Sequence, residues 1–572
     1  MFPFLAWPRP TAATLKRDAL SGFSIGLVLI PQAIAYATLA GMPPETGLYA
    51  ALLPAVVGIL WGSSPLLGVG PVALTSLLVF GSLTPLAPPG TGSWVVLAIW
   101  LSLYAGAIQF LLGAYRLGRI ANVVSQPVIV GFINAAAILI MVSQLPALLG
   151  VSHLPIGDLD MILQVLAPST AWLTALFGFV TLVLLVLLNR YFPTYPTLLL
   201  VTLLGILASW AIDYESYGGQ VVGTISSALP RLSMPPSLSL SQHRDLWPAA
   251  MVLALISFTE AMSSCREIAR RRREQWDENQ ELIGQGLAKI VSGLSGAFPV
   301  SGSFSRSAMY LYTGAASGWS SVFSALCVLV TILFLTEPLS YLPLSVLAAI
   351  IIVPVFRLLQ FGQMLRLFKL SRDEGTVALV TFVSTLAAAP RLHWGVFAGI
   401  GLTMLLFFYR RSDPRILEVG QHPNGLLRDR TLFQLPSIAP DVYAVRIDAG
   451  LSFFTAAALE RTMLDYCVRH PGVKRVLLCC GSINFIDATG VDTLESLHTS
   501  LKMQNVELYL SAVKQQVLDV VRKTALADRL GSDHLFPTDA DAVTALRRGA
   551  PDAAAAGEPG ATKAVGRTST GS

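Results

Sequence analysis

The sequence predicts an α-helical membrane protein of fourteen spans, arranged as two inverted halves of seven, followed by a small soluble α/β domain. Three observations predict this. Hydrophobic residues fill 53% of the 572 positions and charged residues only 13%, a balance outside the range of soluble globular chains. From about Asp18 to Tyr409, apolar runs of membrane-spanning length alternate with short polar breaks. After Arg410 the composition becomes that of ordinary globular sequence.

The spans read as 19–40, 46–62, 66–84, 94–114, 124–149, 169–190, 196–212, 248–270, 279–297, 300–315, 318–336, 341–357, 374–389 and 395–410, with the third and tenth interrupted by Gly and Pro. Cytoplasmic loops concentrate Lys and Arg, which tests the count. Counted from an inside amino end, the inside loops hold Arg116–Arg119, Arg190, Arg266–Arg273 and Arg357–Arg372. The outside loops near Ser82–Gly92 and Gly150–Ser169 hold no Lys or Arg. The seventh-to-eighth loop is mixed (Asp213, Glu215, Arg231, Arg244, Asp245), and Arg391 on an outside loop is the clearest exception. Both termini are therefore expected in the cytoplasm. Lys16-Arg17-Asp18 leads directly into the first span, which is not a cleavable-signal pattern.

The soluble part alternates strand and helix. Val442–Asp448, Arg475–Cys480 and Val506–Ala512 read as strands; 455–469, 489–501 and 514–523 read as helices. The expected domains are 1–411 (membrane), 412–548 (cytoplasmic α/β) and 549–572, an Ala/Gly/Ser/Thr-rich tail expected to be disordered. The five cysteines, Cys265, Cys327, Cys467, Cys479 and Cys480, show no CxxC or Cys/His spacing, so neither a metal site nor a disulfide framework is expected. No nucleophile–base pair or phosphate loop stands out in the soluble part, so no enzyme and no cofactor is expected. The net charge of +5 is accounted for by the loops, and nucleic acid is not an expected partner.

The most informative residues lie in the two interrupted spans. Val69-Gly-Pro-Val-Ala-Leu-Thr75 and Phe298-Pro-Val-Ser-Gly-Ser-Phe-Ser-Arg306 look alike and occupy separate halves. Each can start a half-helix partway through the bilayer, with its free N–H groups facing inward; paired segments of this kind point to a transporter's binding site, and helix N-termini attract anions. Arg306 adds a cation at membrane depth, which costs about 2.5–3.5 kcal/mol on insertion scales and must be paired or face a wet cavity. It either attracts an anion directly or neutralises a buried carboxylate such as Glu260. Ser301, Ser303 and Ser305 can donate to an oxyanion or bond back to helix carbonyls. Glu260 lies within an apolar run, where a desolvated carboxylate is either a proton carrier or a structural ion-pair partner. Gln32 and Tyr36, four residues apart after Pro31, share a helical face as anion ligands or as helix–helix glue. Arg270–Arg273 beside Glu274, Asp277 and Glu278 reads as a solvated collar, with lipid headgroups as the alternative contact. Asp487 and Thr489 sit at a strand-to-helix turn, where capping is the commoner use.

Pro31-Gln-Ala-Ile-Ala-Tyr-Ala37 with Pro43-Pro-Glu-Thr-Gly-Leu-Tyr49, Asn279-Gln-Glu-Leu-Ile-Gly-Gln-Gly286 and Phe298–Ser307 together resemble the signatures of the sulfate permease family, called solute carrier family 26 in animals. Ile483-Asn-Phe-Ile-Asp-Ala-Thr-Gly490 is similar to the core of the STAS domain attached to such carriers. The resemblance implies a seven-plus-seven inverted repeat with core and gate domains and an elevator-like motion. It implies an anion site on Gln32, Tyr36, Val72, Ala73, Thr75, Ser303, Ser305 and Arg306. Glu260, with Ser264 one turn later, falls where sodium-coupled bicarbonate relatives carry an ion-binding aspartate; glutamate favours proton over sodium coupling. Thr489 matches a position phosphorylated, as serine, in related anti-sigma-factor antagonists. The expected function is secondary active, proton-coupled uptake of sulfate. A bicarbonate or dicarboxylate carrier, with sodium coupling as an option, an anion channel or exchanger, a voltage-driven motor, and a sensor with the STAS domain as output are the alternatives. The expected setting is the inner membrane, in contact with lipid, as a homodimer.

Overall fold

The computed structural model describes residues 3–7, 9–119, 124–151, 171–192, 196–524 and 526–548. The chain divides into two compact units, Met1–Thr403 and Met404–Ser572. The expected tail at 549–572 and most of the outside loop before the sixth span lie outside the described residues. The division falls within the helix His393–Ser412.

In the first unit, every expected span contains a helix. The first half comprises α1 (Ala12–Leu39), α2 (Pro44–Trp61), a short strand β1 (Gly68–Gly70) leading into α3 (Ala73–Leu83), α4 (Gly92–Ala114), α5 (Gln126–Leu149), α6 (Ala171–Tyr191) and α7 (Thr197–Ala211). The second half repeats the pattern with α8 (Leu240–Arg272), α9 (Glu278–Leu294), β2 (Ser301–Ser303) leading into α10 (Phe304–Tyr312), α11 (Trp319–Phe334), α13 (Leu344–Phe356), α15 (Arg372–Ala387) and α16 (His393–Ser412). Two short helices between spans, α12 (Thr336–Ser340) and α14 (Phe361–Leu370), were not expected. Neither is long enough to carry a recognisable span, and α14 is amphipathic, with Arg366 and Lys369 among its apolar residues. Seven apolar helical stretches among the described residues, one of them α13 and α14 taken together, are long enough to cross a membrane. The interrupted α3 and α10 are short because each shares its span with a strand.

Two bundles form. In one, α1 packs against α11 and α2, α9 against α4 and α2, and α4 against α8. In the other, α5 packs against α15 and α13, and α13 against α6. Both broken segments belong to the first bundle, where β1 and β2 pair antiparallel with Gly68 opposite Ser303, Val69 opposite Gly302 and Gly70 opposite Ser301. Glycine is required on this ribbon at two points. Gly70 has φ +154°, and a Cβ on Gly68 would stand 2.7 Å from the Arg306 Cβ. The ribbon also resolves a backbone problem, since a broken span in a membrane must satisfy its peptide groups inside the protein.

The second unit is a six-stranded sheet in the order β4-β3-β5-β6-β7-β8, made of β3 (Ile416–Gln421), β4 (Leu427–Asp429), β5 (Val442–Ile447), β6 (Arg475–Cys479), β7 (Glu507–Ser511) and β8 (Leu535–Phe536). Strands β5 to β8 run parallel, and β3 runs antiparallel to both neighbours. The connecting helices α17 (Ala456–Arg469), α18 (Ala488–Met503), α19 (Gln515–Val521) and α20 (Leu526–Leu530) bury one face, with Val445, Leu459, Met463, Leu478, Leu497 and Leu508 in its core. A closing helix α21 (Asp539–Arg548) covers the other face through Ala542, Val543 and Leu546. The expected strands and helices are present within a few residues; β3, β4 and β8 at the sheet margins were not anticipated.

Candidate functional site

The antiparallel ribbon places the starts of two half-helices side by side. Helix α3 begins beyond Gly70 and α10 begins after its N-cap Ser303, the position paired with Gly68, so both N-termini open at the ribbon, one from each of its ends. The first-turn N–H groups of a helix have no intrahelical acceptor and carry partial positive charge. On α10, Ser303 Oγ accepts the Arg306 N–H at 3.4 Å; on α3 the N-cap is Val72, which has no side-chain acceptor. Val72 and Ala73 are buried, and the Thr75 hydroxyl turns back to the Val72 carbonyl at 2.9 Å.

Arg306 is 3% exposed. Its guanidinium crosses to the other half, where Nη1 donates to Pro71 O at 2.8 Å and Nη2 to Gly68 O at 3.3 Å, leaving Nε–H buried with no partner. Ser307 completes the join by accepting the Gly68 N–H at 2.9 Å and donating to Ser303 O at 2.7 Å. The Arg306 donors thus go to peptide carbonyls. Ser301 Oγ donates to Ser257 O at 3.0 Å, and the exposed Ser305 meets Ser303 Oγ at 3.2 Å.

Glu260, on α8, is part-buried, and its Oε2 is sealed from solvent without a hydrogen-bond partner. Glu260, Tyr36 and Arg306 act on one another electrostatically, which brings three residues from α8, α1 and α10 to one locus. Tyr36 and Gln32 are both nearly buried, and the Gln32 amide has no hydrogen-bond partner among the described residues. Ser264 stands apart from this chemistry, because its hydroxyl bonds back to Glu260 O at 3.1 Å within α8. Of the expected residues, Val72, Ala73, Ser303, Ser305 and Arg306 lie on the ribbon or the helix starts beside it, and Tyr36 and Glu260 act on Arg306, while the Ser264 and Thr75 hydroxyls turn onto their own helices.

Several buried polar groups escaped the sequence reading. Glu281 is fully buried on α9 and accepts the N–H groups of Ser63 and Ser64 at 2.9 and 3.0 Å, tying α9 to the turn after α2. Ser76 Oγ, beside the start of α3, is buried and unpartnered. Lys289 is also fully buried on α9 and donates to Gln109 at 2.9 Å. The rule that singled out Arg306, a charge inside an apolar span, also applies to Lys289 and would have found it. On the collar, Arg270 and Arg271 both bind Glu267, and Arg272 reaches Glu274 and the carbonyls of Ala315 and Ala316.

In the soluble unit, Asp487 caps α18, with Oδ1 accepting the Gly490 N–H at 2.8 Å and Oδ2 the Phe453 N–H at 3.1 Å. Thr489 is exposed on the first turn of that helix. Asp441 pairs with Arg475 through two hydrogen bonds of 2.7 and 2.8 Å, which hold its carboxyl below the usual range.

Fourteen spans, paired half-helices joined at a two-stranded ribbon and an appended α/β domain define a polytopic membrane carrier. The sulfate permease family matches residues 15–381 and the STAS domain matches 436–542; the chain belongs to the sulfate permease family. A probable sulfate transporter of Mycobacterium tuberculosis (strain CDC 1551 / Oshkosh) is 31% identical over 93% of this chain and 96% of its own length. Chloroplastic sulfate transporter 4.1 of Arabidopsis thaliana is 29% identical over 95% of this chain and 82% of its own. The fold is shared with murine solute carrier 26 family member A9, an anion transporter solved in the inward-facing state, at TM-score 0.86 and 23% identity over 96% of this chain and 94% of that one. The transmembrane domain of a cyanobacterial bicarbonate transporter matches at TM-score 0.58, with 23% identity over 69% of this chain and 99% of its own.

Proposed function

We propose that this protein is a secondary active anion transporter that takes up sulfate together with protons by an elevator-like movement. The observation that carries the reading is the convergence of two half-helix N-termini on one ribbon, with a buried arginine joining them and an unpartnered carboxylate, Glu260, at the same locus. The N-termini and the Arg306 Nε–H supply positive potential for an oxyanion, and Gln32 and Tyr36 supply neutral donors from α1. Val72, Ala73 and Thr75 contribute the first turn of α3, and Ser303 and Ser305 that of α10. Glu260 carries the coupling proton, and Ser264 steadies the α8 backbone beside it.

The carrier acts without enzymatic chemistry. It lies in the inner membrane as a homodimer in contact with lipid, with both termini and the STAS domain in the cytoplasm, a placement supported by the arginine-rich inside loops. The STAS domain regulates or stabilises the carrier, with Asp487 presenting Thr489 as the regulatory position. The test is uptake of labelled sulfate into proteoliposomes, with bicarbonate, chloride and a dicarboxylate as competitors and with imposed proton or sodium gradients. Accumulation above equilibrium driven by protons, with sulfate the strongest competitor, is the expected result. Uptake driven by a sodium gradient alone, or no accumulation under either gradient, overturns the coupling; preference for another anion overturns the substrate.

A further inference from the structure

Lys289 is a fully buried cation that the anion site does not use. An ammonium has three donors and no acceptor. One of these meets Gln109 Oε1 on α4 at 2.9 Å, and no other acceptor meets it among the described residues. Gln109 in turn donates from Nε2 to Ala254 O at 2.6 Å and Ser257 Oγ at 3.1 Å, both on α8. Ser257 O then accepts from Ser301 Oγ on β2 at 3.0 Å. A continuous polar track therefore joins Lys289 to the ribbon. It passes one helical turn from Glu260, whose Oε2 is buried and unpartnered.

A buried ammonium with a single neutral hydrogen bond is costly unless a carboxylate answers its charge. The two carboxylates that act on it are Glu260 and Glu281. Glu281 already accepts three N–H donors, from Ser63, Ser64 and Gln285. Glu260 has an open oxygen. The other ionisable groups acting on Glu260 are Arg306 and Tyr36.

We propose that Lys289 is the internal counter-cation of Glu260, held by Gln109 against the same stretch of α8, and keeps the carboxylate ionised until an anion arrives. This rests on Glu260 being the coupling residue. Formal charges show the consequence. With Glu260 ionised, Arg306 and Lys289 balance Glu260 and Glu281, and the empty core is neutral. Once Glu260 takes up a proton, the core holds one net positive charge, which offsets one of the two charges of an incoming sulfate. Without Lys289, the empty core reaches neutrality only by protonating Glu260 in advance, which removes the reason for the proton to enter with the anion.

The experiment uses full-length protein in liposomes with labelled sulfate, and purified full-length protein for melting. Lys289→Met should move the midpoint of the uptake pH profile to higher pH by about one unit or more, because a cation near Glu260 has been lost. Lys289→Arg should restore the wild-type midpoint. Glu260→Gln/Lys289→Met should melt above Lys289→Met alone, since removing both charges leaves neither unpaired. An unmoved midpoint in Lys289→Met, or equal loss of folded protein in single and double variants, overturns the pairing. Wild-type pH dependence in Glu260→Gln instead overturns the coupling reading, and the melting comparison then decides the pair alone.

Discussion

Arg306 commits two donors to the carbonyls of Pro71 and Gly68 and keeps Nε–H in reserve. It is therefore both a brace between the two broken segments and a source of charge. Lysine can supply the charge but cannot bridge two carbonyls with a planar fork. Arg306→Lys should lower the initial uptake rate at least about tenfold, since hydrogen bonds to charged groups contribute roughly 1.5–3 kcal/mol each. Arg306→Ala should lose uptake altogether and also melt earlier; wild-type affinity in folded Arg306→Ala would remove Arg306 from the anion site. Gln32, whose amide has no hydrogen-bond partner among the described residues, poses the complementary case. Gln32→Ala and Tyr36→Phe should each raise the apparent KM for sulfate severalfold without destabilising the protein, as expected for donors that await a ligand. Unchanged KM with a lowered melting temperature in both variants would make them packing residues.

The elements differ in how far their sequences revealed them. The fourteen spans were legible because apolar length and arginine placement are properties of single segments. Strands β5, β6 and β7 were legible for the same reason, as short apolar runs rich in β-formers. The β1–β2 pairing was not, because it joins residues more than two hundred positions apart and no local pattern encodes a partner. Nor was the join from Arg306 to Gly68 and Pro71, since backbone acceptors leave no trace in side-chain composition. At the sheet of the soluble unit, Asp441 and Arg475 fasten the start of β6 beside β5. The arginine holds the Asp441 carboxyl low, so its contribution is present above about pH 4, the ordinary unfolded value, and is lost as pH falls through the lower folded value. Asp441→Asn should cost about 1 kcal/mol at neutral pH and nothing at acid pH, read from amide exchange along β6 in the full chain. Equal protection in both proteins at neutral pH would show the pair to be inert.

For the whole molecule, the soluble domain and the carrier can be separated by experiment. Ending the chain after Asp413 should lower the amount of active carrier or its rate, while the order of competing anions stays the same; a changed order would assign substrate selection to the STAS domain. The ribbon has a further consequence for energetics. One half supplies the start of α3 and the other the start of α10, and the Arg306 and Ser307 bonds lock the two together at the proposed anion site. Under the proposed elevator movement, a pocket braced across its own seam travels without being rebuilt. The intrinsic affinity for the anion should then be the same on both faces of the membrane, and on the proposed coupling direction comes from the ion gradient and from Glu260, not from a loosened grip on the discharging side.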